Sequence, residues 1–111
     1  MKSPITTHVL DTANGHPASG IKVTLEIEEN NSWKVLASGK TNDDGRISDL
    51  LPAGEPAKKG KYRVTFEVGD YFTDHNFYSD VPIIFHLNNP DEHYHIPLLL
   101  SPYGYTTYRG S

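Results

Sequence analysis

At 111 residues and 12.4 kDa the chain has the length of one domain, residues 1–111, and is long enough to bury about 60 to 70 % of its unfolded surface without a metal or disulfide staple. The absence of Cys excludes structural disulfides, thiolate nucleophiles and Cys-based zinc sites. Ten Lys and Arg against 14 Asp and Glu give a formal charge of −4, and no basic run exceeds Lys58-Lys59. Nucleic acid and anionic membrane are therefore not expected as partners, because both are held by clustered positive charge.

After Met1 and Lys2 the chain runs Ser3-Pro4-Ile5-Thr6-Thr7-His8, without the apolar stretch of a signal peptide, and no segment approaches the roughly 20 apolar residues of a membrane span. A cytoplasmic protein is expected. Ile5 to Leu10 is a short, mixed strand candidate that runs into the Asn14-Gly15 turn. Ile21, Val23, Leu25 and Ile27 alternate with Lys22, Thr24, Glu26 and Glu28, the pattern of a strand with one wet face. The same period of two recurs in Trp33, Val35 and Ala37, and in Tyr62, Val64, Phe66 and Val68. Asn30-Asn31, Asp43-Asp44-Gly45, Gly60 and Gly69-Asp70 read as turns. Leu50 to Lys59 carries Pro52, Gly54 and Pro56 and reads as a loop. Asp70 to Asn76 is the only stretch that predicts a helix, of one or two turns with Asp70 as N-cap. Pro82 opens an apolar strand, Ile83 to Leu87, that ends at Asn88-Asn89-Pro90-Asp91. His93 to Leu100 and Tyr103 to Tyr108 follow, separated by Ser101-Pro102. The expected fold is an all-β antiparallel sandwich of seven to eight strands with at most one short helix.

Six histidines are where chemistry is to be sought. On a strand, residues two apart share a face, so His93 and His95 project together. The pair suits a solvated sheet face, a paired imidazole site, or a zinc site completed by His8, His75 or His86. His8, in Thr7-His8-Val9-Leu10-Asp11, is a packed strand residue or a functional one. Arg46, at the tip of the Asp43-Asp44-Gly45 turn, is solvated charge or a guanidinium placed to bind a carbonyl or oxyanion. No Gly-x-Ser-x-Gly elbow or Gly-rich phosphate loop is present, and Ser101 precedes a proline, so a serine triad has little support. Tyr103, Tyr105 and Tyr108 suit packing or an interface.

The run His93-Tyr94-His95-Ile96-Pro97-Leu98-Leu99-Leu100-Ser101-Pro102-Tyr103-Gly104-Tyr105, closing in Tyr108-Arg109-Gly110-Ser111, resembles the transthyretin-related 5-hydroxyisourate hydrolases. Thr7-His8-Val9-Leu10-Asp11 and Asp44-Gly45-Arg46 match two further parts of that family's pattern. The resemblance implies a transthyretin-like sandwich that assembles as a homotetramer, a dimer of dimers, with active sites in the channel between dimers. It implies ring opening of 5-hydroxyisourate to 2-oxo-4-hydroxy-4-carboxy-5-ureidoimidazoline, in urate breakdown, without cofactor or metal. His8, Arg46, His95 and Ser111 match the family's catalytic positions, with His8 and Arg46 also binding substrate beside Tyr108 and Arg109. Water attack on an amide carbonyl needs a base, a cation at the developing oxyanion and an acid for the departing nitrogen. His8 is expected to activate water, His95 to orient or protonate, and Arg46 to stabilise the oxyanion; the reverse histidine assignment stays open. So do two rivals: a channel that binds a small ligand without turnover, and a zinc hydrolase built on His93 and His95.

Overall fold

In the computed structural model, which describes residues 3–52, 54, 56–73 and 76–110, the period-two segments become strands, of which those through Leu25 and Val64 bury one face in a shared core while the one through Val35 has no fully buried residue. The strands are β1 (Ile5–Asp11), β2 (His16–Pro17), β3 (Lys22–Glu29), β4 (Ser32–Lys40), β5 (Arg46–Leu51), β6 (Gly60–Glu67), β7 (Asp80–Leu87), β8 (Tyr94–Ser101) and β9 (Gly104–Thr107). One sheet has the order β2-β1-β8-β9, with β5 pairing the same side of β1 as an additional strand; the other has the order β4-β3-β6-β7. The pairs are antiparallel except β1 with β8, which run parallel from Ile5 beside Tyr94 to Asp11 beside Leu100. Val23, Leu25, Val64, Phe66 and Val81 of one sheet meet Ile5, Val9, Leu98 and Leu100 of the other, all essentially without solvent exposure.

The strand expectations hold, with nine strands in place of seven or eight because β5 and the two-residue β2 join the set. β5 takes Leu50 and Leu51 out of the expected loop. Pro82 lies inside β7, opposite Thr65, where the edge position tolerates its missing N–H. No helix forms among the described residues. At the expected site, residues 70–73 are turn and bend, and Asp74 and His75 lie outside the described residues. The Asn76 side chain accepts from the Phe72 N–H at 3.2 Å and donates to the Phe72 carbonyl, so it takes backbone groups that a helical turn would need. Among the described residues no helix is long and apolar enough to cross a membrane.

Asp11 locks the end of β1. Its buried carboxylate accepts from the backbone N–H of Ala13 and Asn14 at 2.9 Å each, and from Asn14 Nδ2 and the Tyr71 hydroxyl at 2.8 Å each. Burial alone would raise its pKa, but these hydrogen bonds overcome it and hold the carboxyl below its ordinary range. Burial, together with the hydrogen bond to Asp11 and its charge, pushes the Tyr71 phenol up to about 12. Because the folded carboxyl is the stronger acid, its stabilisation is present above the unfolded pKa and is lost as pH falls through the folded one. Asp11→Ala is expected to cost about 3 kcal/mol, since it strands several donors, read as a lower urea midpoint with an unchanged slope.

Candidate active site

β1 is the interior strand on which the candidate site is built. Its burial alternates, so Ile5, Thr7, Val9 and Asp11 enter the core while Thr6, His8 and Leu10 face outward. β5 lies on one side in antiparallel register, with Arg46 opposite His8; β8 lies on the other in parallel register, with His95 opposite Thr6. His95 faces outward between buried Tyr94 and Ile96, and Arg46 is exposed ahead of buried Ile47. Three strands distant in sequence thus bring His8, Arg46 and His95 to one outer face. The His8 and His95 ring centroids are 6.5 Å apart, and those of His93 and His95 6.4 Å.

The turn before β5 aims Arg46. Asn42 Oδ1 accepts from the N–H groups of Asp44 at 2.9 Å and Arg46 at 3.0 Å, and the Gly45 carbonyl accepts from Val9 N–H at 2.7 Å. Gly45 has φ +73°, and a Cβ there would collide with the Val9 carbonyl. Glycine therefore satisfies both the left-handed conformation and the close approach to β1. Arg46 begins a strand docked on the histidine strand, which is a more ordered placement than a free loop tip.

Thr6, Arg46, Ser48, His93 and His95 line a polar cleft of about 210 Å³. Burial lowers the pKa of His8, and the Arg46 charge lowers it further, against a hydrogen bond to the Asp44 backbone. Burial also lowers that of His95, followed by the charges of His8, His93 and Arg46. Burial and the neighbouring charge thus favour the neutral form of both imidazoles, which can accept a proton beside a permanent cation. A second, more apolar groove of about 540 Å³ also reaches His95, bounded by Phe85, Tyr94, Ile96 and Tyr108. It is larger, but Arg46 and His95 meet only in the smaller cleft, and the chemistry is assigned there; His8 lines neither cavity and stands beside the cleft on β1, its ring centroid 6.5 Å from that of His95.

Tyr108 and Arg109 line the larger groove rather than the cleft. Tyr108 is exposed, and Arg109 donates to Glu92 Oε1 at 2.9 Å and stacks over the Tyr94 ring at 4.4 Å. Ser111 lies outside the described residues. Gly110, part of the closing motif, bridges to His95: its N–H donates to the His95 carbonyl at 2.9 Å. A Cβ at Gly110 would stand 2.5 Å from His95 Cδ2 and 3.2 Å from Pro97 Cγ. Gly110→Ala is expected to shift the His95 ring, seen as displaced imidazole resonances, at a cost of about 1 to 3 kcal/mol. Thr6 was also missed, although it lies two residues before His8 and so shares its face.

The rival zinc set does not gather among the described residues. Among the described residues no three His, Asp or Glu side chains come together as metal ligands. His86 is exposed on β7 in the other sheet, and His75 lies outside the described residues. His93 Nε2 and His95 Nδ1 both contact the Thr6 hydroxyl, at 3.1 and 2.8 Å.

The HIUase/Transthyretin family model matches residues 5–110. A 5-hydroxyisourate hydrolase of Salmonella dublin is 46 % identical over 110 residues, covering 96 % of this chain and 80 % of its own. The solved 5-hydroxyisourate hydrolase of Klebsiella pneumoniae superposes with a TM-score of 0.84 at 35 % identity, covering 98 % of this chain and 99 % of that one. An (S)-allantoin synthase superposes with a TM-score of 0.86 at 38 % identity over 99 % of this chain, which spans only 44 % of that protein's length.

Proposed function

The chain belongs to the HIUase/Transthyretin family, and from that premise we propose that it is a cofactor-free hydrolase that opens the ring of 5-hydroxyisourate in urate catabolism. The observation that carries this reading is the meeting of His8, Arg46 and His95 on one outer sheet face from three separate strands. Water attacks a ring amide carbonyl; one imidazole takes the proton and the other, receiving it in turn, delivers it to the departing nitrogen. Arg46 holds the planar substrate and balances the charge on the carbonyl oxygen, for which a forked, permanently charged guanidinium is suited. The product is 2-oxo-4-hydroxy-4-carboxy-5-ureidoimidazoline. Ser111 acts with this set, and Tyr108 and Arg109 border the substrate from the adjoining groove.

The assembly proposed with it is a homotetramer, a dimer of dimers, in the cytoplasm, whose channel the outer face lines. Its support is the pair of edge strands β7 and β9, whose free N–H and C=O groups suit pairing with a second copy, and the exposed Ile84 and Tyr108 beside them. Sedimentation of the purified protein measures the subunit number directly.

The deciding experiment follows freshly made 5-hydroxyisourate by ultraviolet absorbance, with and without chelator-treated protein. Faster decay at catalytic protein concentrations supports the hydrolase. Unchanged decay with folded protein overturns it and favours a site that binds without turnover.

A further inference from the structure

A chain of hydrogen bonds runs along the outer face beside the site. His93 Nδ1 lies 2.8 Å from the Ser3 carbonyl, His93 Nε2 lies 3.1 Å from Thr6 Oγ1, and the same hydroxyl lies 2.8 Å from His95 Nδ1. Donor and acceptor roles follow from elementary chemistry. A carbonyl oxygen only accepts, so His93 Nδ1 is the donor to Ser3. In the one-N–H form of the His93 ring, that proton is then on Nδ1, Nε2 accepts, and the Thr6 hydroxyl donates to it. That hydroxyl has a single proton, now directed at His93, so it meets His95 as an acceptor. His95 therefore donates from Nδ1, and its lone pair resides on Nε2.

Resting on the hydrolase reading, we propose that Thr6 and His93 are positioning residues that fix the tautomer of His95, so that His95 meets water with an unprotonated Nε2 and is the base of the reaction. This reverses the division of labour between His8 and His95 expected from sequence. The relay starts from a firm anchor: Ser3 is buried, and its hydroxyl donates to the Ile5 carbonyl at 2.8 Å. The parallel register that sets Thr6 beside His95 aligns its middle, and Gly110 packs on the Cδ2 edge of the His95 ring. Among the described residues His8 has no such side-chain relay, and it is left to hand the proton to the departing nitrogen. The proton count closes: water gives one proton to His95 Nε2, the His95 imidazolium passes it to the neighbouring neutral His8 ring, 6.5 Å away between centroids, and the His8 imidazolium so formed gives it to the nitrogen as the C–N bond breaks. Both rings are then neutral again, as at the start.

The test uses the full protein labelled with 15N in its histidines, and reads ring tautomers by two-bond 1H–15N correlation alongside kcat and KM. Thr6→Ser keeps the hydroxyl and is expected to keep the Nδ1–H form of His95 and kcat. Thr6→Val keeps the shape but not the hydroxyl; it is expected to move His95 toward Nε2–H and lower kcat by about 10- to 100-fold with little change in KM, the scale on which supporting hydrogen bonds act. His93→Ala, a second route to the same end, frees the Thr6 hydroxyl to donate to His95 Nδ1 and is expected to shift the tautomer the same way. An unchanged His95 tautomer in the folded Val and Ala variants overturns the proposal, whatever their kcat. If the unsubstituted protein does not accelerate 5-hydroxyisourate decay, the hydrolase reading falls, and the ring spectra still decide whether the relay sets the tautomer.

Discussion

Replacing His95 with Gln is expected to lower kcat by about 10²- to 10⁴-fold, the range that a positioned general base contributes, without loss of fold or assembly. Gln preserves hydrogen-bonding capacity at the end of a flexible side chain but cannot take a proton from water near neutral pH. The partly exposed position of His95 on the outer face, between core residues Tyr94 and Ile96, means that its removal opens no core cavity. His8→Gln is expected to lower kcat as well, with a different signature. A departing nitrogen made more basic in the transition state relies on His8 as acid, so a substrate with a better leaving group recovers rate in that variant and not in His95→Gln. Equal recovery in both, or near-normal kcat in His95→Gln, contradicts the assignment. Sedimentation of each variant separates a lost proton carrier from a lost subunit contact.

The parts of this site that could be read from sequence are those encoded by short-range periodicity. Alternation in Ile21 to Glu28 and Tyr62 to Val68 gives β3 and β6, and the two-residue spacing of His93 and His95 gives their shared face. β5 escaped because its buried residues, Ile47, Leu50 and Leu51, do not alternate. The register with β1 shifts between Ile5 and Thr7, and such an irregularity erases the period of two. Arg46 consequently looked like a turn tip when it is the first residue of a strand. The parallel pairing of β1 with β8 joins residues nearly 90 positions apart, beyond any local pattern. Thr6 acquires its place only through that pairing. Without the register, it is one more β-branched residue in a strand; with it, the hydroxyl lies between two imidazoles. Trp33 and Val35 show the opposite error of a simple period. The shift between Leu25 and Glu26 turns Val35 to the wet face, where it is 60 % exposed, while Leu36 packs on the core and the Arg63 guanidinium covers Trp33 at 4.5 Å.

Arg46 has two electrostatic roles, and two substitutions separate them. Arg46→Gln is expected to lower kcat by about 10²- to 10³-fold, the loss seen when a group facing a developing oxyanion is removed. It also takes a positive charge from beside His8 and His95, whose pKa values burial and Arg46 both lower. The basic form of one ring is required, so activity falls on the acid side as that ring is protonated. In the unsubstituted protein this acid limb of kcat/KM is expected below the ordinary imidazole value of about 6.5. Without Arg46 the charged imidazole is less disfavoured, and the limb moves up in pH, while burial still keeps it below the ordinary value. Arg46→Lys keeps the charge and loses the planar fork. It should leave the limb near its original position while lowering kcat, because an ammonium has no planar pair of parallel N–H donors to orient a carbonyl and its neighbour. A limb that moves equally in Gln and Lys, or in neither, contradicts the electrostatic coupling. A limb fixed in Lys and raised in Gln assigns the proton affinity of the site to the charge of Arg46, and its remaining rate loss to the geometry of the guanidinium.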